Sequence, residues 1–552
     1  MREYLDMTRK PLVYLVFTSI AASCFAQQPE DDAMQGIRPE AIEAHMRFLA
    51  DDLLEGRGTG TRGYEIAAKY LVDQFEAMGL EPGAPGGSYF QPVALRRLRL
   101  IPEESSVTLT SDGHQQSLTF GKEFLMLPPK GRTETSVSAP VVFVGYGVVA
   151  PELGYDDYAG LDVRGKIVAV LADAPSRFPS AERAHFSSGF VKQQQAAARG
   201  AIGLISFWVG EMAQRTSFER MAGFYREPRF CWLSPDGTPS DYVPEMLGSA
   251  LLSKDVSKKL FEKSSKTLEQ VIAEAALGKL KGFPLGVTVS IHGVARHTPA
   301  QSPNVVAVLP GSDPRLRNEY VVYTAHLDHL GIGTPVDGDS IYNGAEDNAS
   351  GVAALIEVAR AFTRLPQPPR RSILFVAVTG EEAGLLGSDY FARYPTVPKT
   401  AMAANVNIDG ITLNYDFRDV VAYGEDHSSL GKFVHQAAQH MDLEVSPDPM
   451  PEEAFFIRSD QYSLVRQGVP AVMLSEGFKT VDPALDGRKI SLDWEAKIYH
   501  TPKDDMNQPL NFKAAARSTR LNFLVGYLTA QADERPEWNP GDFFGKTFGG
   551  RN

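Results

Sequence analysis

Cysteine is nearly absent from this chain: 552 residues carry two, Cys24 and Cys231. A disulfide-stapled scaffold is therefore excluded, and stability has to come from core size and from any bound metal. Cys231, set between Phe230 and Trp232, reads as a small buried hydrophobe rather than a nucleophile. No apolar run reaches the roughly 18 residues that a membrane-spanning helix needs. No polybasic block is present, and 55 basic against 68 acidic residues give a net charge of −13, which argues against nucleic acid and anionic membrane as partners. No repeat of solenoid period is visible.

What is present is the composition of a globular protein, 43% hydrophobic and 22% charged, too long for one core, so two or three domains are expected. Arg9 and Lys10 precede an apolar stretch, Pro11 to Phe25, that closes on Ala26 before a polar run. That is a secretory signal pattern over residues 1–26, implying a periplasmic or extracellular destination. Ala22-Ser23-Cys24 leaves a lipid anchor through Cys24 as the alternative.

Beyond the signal, residues 39–54 and 64–78 have helical apolar spacing, and Gly56, Gly58, Gly60 and Gly63 separate them as a loop. Residues 89–127 alternate as short strands do. A β-rich unit is expected over 139–297, in the order strand, strand, helix, strand, with a further helical region near 256–277. The run His297-Thr298-Pro299-Ala300-Gln301-Ser302-Pro303 is expected to be its closing linker. From Asn304 short apolar runs alternate with helical patterns, which is α/β architecture with strands buried on both faces. Residues 27–138 are assigned to the same domain as 298–552.

Five metal-ligand side chains stand at or near the ends of those apolar runs: His326, Asp347, Glu382, Asp409 and His500. Each has an ordinary explanation alone. Asp347 could cap the helix starting at Gly351, Glu381-Glu382 could be a solvated first turn, and Asp409-Gly410 a simple turn. Their joint occurrence, mostly at strand ends where open α/β sheets bind ligands, is hard to ascribe to chance. Two imidazoles and three carboxylates suit two zinc ions if one carboxylate bridges, each ion keeping an open position. Two dications against three carboxylates leave one net positive charge, which favours a hydroxide. Glu381, pointing opposite to Glu382, is placed as general base. Asp328 is placed to accept a hydrogen bond from the second ring nitrogen of His326.

Together these segments (Ala325-His326-Leu327-Asp328, Asp347-Asn348-Ala349-Ser350-Gly351, Gly380 to Ser388, Asn407-Ile408-Asp409 and Tyr499-His500-Thr501) resemble the co-catalytic di-zinc exopeptidases of metallopeptidase family twenty-eight. The resemblance extends over residues 40–130 and 300–530. It implies a mixed sheet sandwiched between helices, with a protease-associated domain inserted at 139–297 as a lid or guiding wall. It further implies that His326 and Asp409 hold one zinc, Glu382 and His500 the other, with Asp347 bridging and joined to Asn348 by a cis peptide. Tyr499 would either donate to a developing oxyanion or prop His500.

The expected activity is that of an exported aminopeptidase on peptide substrates, with Glu346 or Asp460 receiving the substrate amine. A carboxypeptidase or dipeptidase would need a cation for the terminal carboxylate, for which Arg458 is the candidate. A single-zinc glutaminyl cyclase would dispense with the Asp347 segment, which is intact here.

Overall fold

The computed structural model describes residues 29–210, 213 and 216–551; the expected signal segment, with Cys24, lies outside the described residues. Four strands pair in parallel, in the spatial order Ser372–Val378, Tyr320–His326, Met402–Asn407 and Ala471–Glu476. Antiparallel strands flank them: the end of Phe283–Leu309 beside Ser372–Val378, and Asp419–Tyr423 beside Ala471–Glu476. Every residue of Ser372–Val378 and of Met402–Asn407 is buried, because helices cover both faces.

Strand periodicity divides the core between those faces. Val321, Tyr323, Ile373 and Phe375 pack with helices Arg62–Ala77, Gly351–Thr363 and Phe512–Gln531. Their neighbours Val322, Leu374 and Val376 pack with Phe391, Ala392 and Leu464 on the other side. This is the expected mixed sheet between helices. Helix ends match sequence cues, with Thr61 accepting from the Tyr64 amide and Asn511 from the Ala514 amide.

A second core gathers Val137, Ile167, Ala169, Ile205, Leu252 and Ile291. Its strands Ile167–Leu171 and Gly203–Phe207 are parallel, joined through helix Gly189–Ala197. The helical region near 256–277 is two helices, Lys254–Phe261 and Leu268–Ala276, the second opened by a capping box of Thr267 and Gln270. Leu100, Val107, Leu109, Leu118 and Phe124 belong to this core too, so the packing division falls near residue 100, not at 138.

The expected linker at 297–303 is not a loop. It lies inside one long strand, Phe283–Leu309, paired antiparallel with Phe90–Leu100 from Ala295↔Leu100 to Val305↔Phe90. Pro299 and Pro303 are four residues apart, so both missing N–H groups fall on the same side of the strand and the other side keeps its ladder. This strand threads both cores and ties the accessory lobe to the lobe built on the parallel strands. A third apolar cluster, in which Phe178 and Phe186 meet Phe456, Tyr462 and Phe544, joins them again.

Candidate metal centre

Three of the five ligand candidates sit where parallel strands run out. His326 ends Tyr320–His326; Glu381 and Glu382 follow Ser372–Val378, and Asp409 follows Met402–Asn407. Asp347 comes from the tight turn Ala345–Ser350 that enters helix Gly351–Thr363, and the Asp347–Asn348 peptide is cis. His500 stands in left-handed backbone, φ 55°, a conformation uncommon for residues other than glycine.

Buried polar contacts hold these segments in register. Asn348 accepts from the amides of Gly351 and Gly410, both at 2.9 Å, and donates to the Ile408 carbonyl at 3.0 Å, locking the Asp347 turn onto the Asp409 turn. Gly351 has to lack a side chain, since a Cβ would lie 2.1 Å from Asn348 Oδ1. Asp504 accepts from the amides of Glu346 and Asp347 at 2.8 and 3.0 Å. Arg57, fully buried, donates to the carbonyls of Leu327, Asn343 and Gly344 at 3.0, 2.6 and 2.9 Å, stapling the His326 turn to the Asp347 turn. Sequence reading treated that glycine-rich stretch as a plain loop and missed Arg57 and Asp504; neither lies beside an apolar strand end.

The donor atoms converge as two groups that share Asp347. His326 Nε2 lies 3.2 Å from Asp347 Oδ1 and 3.0 Å from Asp409 Oδ1. His500 Nε2 lies 3.1 Å from Asp347 Oδ2 and 3.2 Å from Glu382 Oε2. Ligands about 2.0–2.2 Å from a tetrahedral cation lie roughly 3.3–3.6 Å from one another, so the spacing fits small divalent ions after slight expansion. One oxygen of Asp347 faces each imidazole. Buried His329, which sequence reading passed over, forms a group with Asp347 and Glu382; a third imidazole only three residues after His326 was the available signal.

Electrostatics supports the same fit. Burial opposes the imidazolium of His500, yet hydrogen bonds to Asp347 and Glu382 push its pKa up to about 10. His326 is likewise raised, against burial, by Asp409 and Asp347. Burial and the charge of Asp347 work to raise Glu382, but His329 and His500 bring it down to about 2. The carboxylates around His326 and His500 favour positive charge at both rings. Glu381 stands apart: burial and the charges of Asp409, Glu382 and Asp460 outweigh His326 and hold its carboxyl well above the usual range.

Two expected roles are corrected. His326 Nδ1 contacts the backbone carbonyl of Asp328 at 3.1 Å, not its carboxylate. The carboxylate accepts instead from Thr59 Oγ1 and the Glu381 amide at 2.9 and 3.1 Å, which fixes the backbone of Glu381 rather than the ring of His326. Asp460 is fully buried and does not line the cavity, because its turn packs it behind His326 and Asp409, and burial raises it to about 7.

A cavity of about 240 Å³ opens on His326, Asp347, Glu381 and Asp409. Glu346 and Glu476 form an acidic wall; Asn414 donates to Glu346 at 3.0 Å and Thr412 to Glu476 at 2.9 Å. Ile411, Met450, Phe455, Phe478 and Trp494 form an apolar one. Arg458 reaches the rim but pairs with Glu453 at 2.9 Å. Tyr499 stacks on His500 with ring centres 3.8 Å apart, and burial raises its phenol. Among the described residues the accessory lobe contributes no cavity-lining side chain; it buttresses the wall from behind, where His185 Nδ1 meets the Tyr462 hydroxyl.

The mixed sheet gathers imidazoles and carboxylates at its carboxyl rim into two groups that could each hold a metal ion. Residues 304–525 match the sequence profile of peptidase family M28. It is 38% identical over 112 residues to a probable zinc metalloprotease of Pyrenophora teres f. teres (strain 0-1), covering 20% of this chain and 23% of that protein. Leupeptin-inactivating enzyme 1 of Streptomyces exfoliatus is 33% identical over 109 residues, 20% of this chain and 22% of that enzyme. The match thus spans under a quarter of the length of these curated relatives. The fold resembles that of an aminopeptidase from Aneurinibacillus sp. strain AM-1, with a TM-score of 0.51, 17% identity, and coverage of 92% of this chain and 97% of that one.

Proposed function

We propose that the chain is an exported, zinc-dependent aminopeptidase that holds two zinc ions. His326 and Asp409 would hold one, Glu382 and His500 the other, and Asp347 would bridge. The observation that carries this reading is the Asp347 carboxylate, which turns Oδ1 toward His326 at 3.2 Å and Oδ2 toward His500 at 3.1 Å. When bound, the zinc ions polarise a peptide carbonyl and ease deprotonation of water.

The protein's own residues supply the rest. Glu381 takes a proton from the attacking water and returns it to the departing amine, a task suited to a carboxylate that lines the cavity beside His326 and Asp409. Asp328 fixes the backbone of Glu381. Tyr499 packs flat on His500 and either steadies that ring or donates its hydroxyl to the developing oxyanion. Glu346, raised first by burial and then by Asp504, Glu476 and Asp347, faces the cavity beside Glu476. A substrate ammonium would relieve that repulsion, while the apolar wall takes the terminal side chain. Arg458, its charge answered by Glu453, offers little to a terminal carboxylate, which favours amino- over carboxypeptidase action. The lobe built from residues near 100 to 294 corresponds to the protease-associated insert, and the pattern of residues 1–26 supports export.

The test is a panel of aminoacyl chromogenic substrates beside N-blocked peptides and peptides with free C-termini, each with and without chelator. Chelator-sensitive release from the aminoacyl set alone is expected. Cleavage of N-blocked peptides from the C-terminus would overturn the aminopeptidase reading and bring Arg458 forward.

A further inference from the structure

We propose that His329 is a fourth protein ligand of the second cation, the one assigned to Glu382 and His500. That position would then be closed by His329, Asp347, Glu382 and His500, whereas the first keeps only His326, Asp347 and Asp409 and stays open. The inference rests on the two-cation reading above.

His329 is 1% exposed. Its Nδ1 lies 2.7 Å from Glu382 Oε1 and 3.8 Å from Asp347 Oδ2. His500 approaches the same two carboxylates through Glu382 Oε2 and Asp347 Oδ2, with ring centres 5.7 Å apart at 66°. Two imidazoles thus meet one pair of carboxylates. Among the described residues neither ring nitrogen of His329 makes a hydrogen bond, and neither does Glu382 Oε1. The close pair is therefore not an aligned N–H···O bond. Atoms that share a cation aim at the space between them rather than at each other, and leaving both buried and unsatisfied would be costly.

The ring is also held in place. The His329 amide donates to the Arg57 carbonyl, and the imidazole fills the space over Gly344, where a Cβ would come within 2.5 Å of it. A position with four protein ligands behaves as a structural one, and a position with three keeps room for water or substrate. The two cations are therefore unequal: the first exchanges readily and faces the cavity, the second is retained.

Two variants and two readouts test this. His329→Ala removes the ring; His329→Gln keeps an N–H donor for Glu382 but not an imidazole ligand. In competitive chelator titration both should bind one zinc equivalent at least about 100-fold more weakly, with the other unchanged. X-ray absorption of the wild-type di-zinc protein should give a mean of about 1.5 imidazoles per zinc, falling to about 1.0 in either variant reloaded with excess zinc. If His329→Gln holds both equivalents as tightly as wild type, His329 is an outer hydrogen-bond donor and the assignment is overturned. Wild-type stoichiometry separates the two readings. Two equivalents with about 1.0 imidazole per zinc overturn the His329 assignment alone; a single equivalent overturns the two-cation reading and this assignment with it.

Discussion

Each lobe buries charge, and each answers it differently. In the accessory lobe Lys192, 1% exposed, donates from one ammonium to the carbonyls of Tyr146, Leu171 and Asp173 at 2.8, 2.7 and 2.6 Å. Burial pulls its pKa down to about 7, against the opposing charges of Asp173 and Asp157. In the lobe built on the parallel strands the anions Asp347, Glu382 and Asp409 converge on imidazoles. One lobe answers buried backbone carbonyls with a lysine; the other gathers carboxylates on imidazoles in groups that could hold a metal ion.

The sharpest way to break that contrast is Asp347→Ala. Because one carboxylate serves both groups, both zinc equivalents should go together and peptidase activity should fall to background, while the accessory lobe keeps its fold. Elemental analysis showing loss of one equivalent would mean that Asp347 does not bridge. Next in size is Glu381→Gln, expected to retain metal yet lose about 10²–10⁴ in kcat; more than half of wild-type turnover would remove Glu381 from the role of base.

Lys192→Met probes the other side. Three carbonyls lose their donor, and at about 1–3 kcal/mol for each buried group left unpaired the loss should be several kcal/mol by denaturant unfolding, with zinc content unchanged. Metal loss on this substitution would show that the two clusters are coupled. The smallest effect is one of pH. The Lys192 pKa is near 7 in the fold and about 10.4 in the unfolded chain, so between those values the unfolded chain binds more protons and stability rises with pH. The gap between wild type and Lys192→Met should widen from pH 7 toward pH 10, by at most about 1.4 kcal/mol per unit, and stay flat below pH 7. A gap that stays flat over that interval would show that the ammonium remains charged in the fold.

The ligand candidates at strand ends were legible because a strand buried on both faces reads as a short apolar run. A polar metal-binding side chain just beyond such a run stands out, as His326, Glu382 and Asp409 do. Groups that act through the backbone leave no such mark. Arg57 binds four carbonyls, those of Leu49, Leu327, Asn343 and Gly344, from within a glycine-rich stretch, and Asp328 turns its carbonyl to His326 and its carboxylate to Glu381. Asp460 was misplaced for a related reason, since one residue of rotation around its turn separates the cavity wall, where Ser459 lies, from the interior.

By itself, then, the sequence determined the α/β alternation, the residue types at the rim of the sheet and the class of ion they suit, because periodicity and donor chemistry are local properties. Tertiary structure alone decided that residues 297–303 form a strand, that residues 100–125 pack with the accessory lobe, which oxygen of Asp347 faces which imidazole, and that His329 joins Glu382. Each of these depends on pairing or side-chain direction between segments far apart in the chain, and no local pattern encodes it.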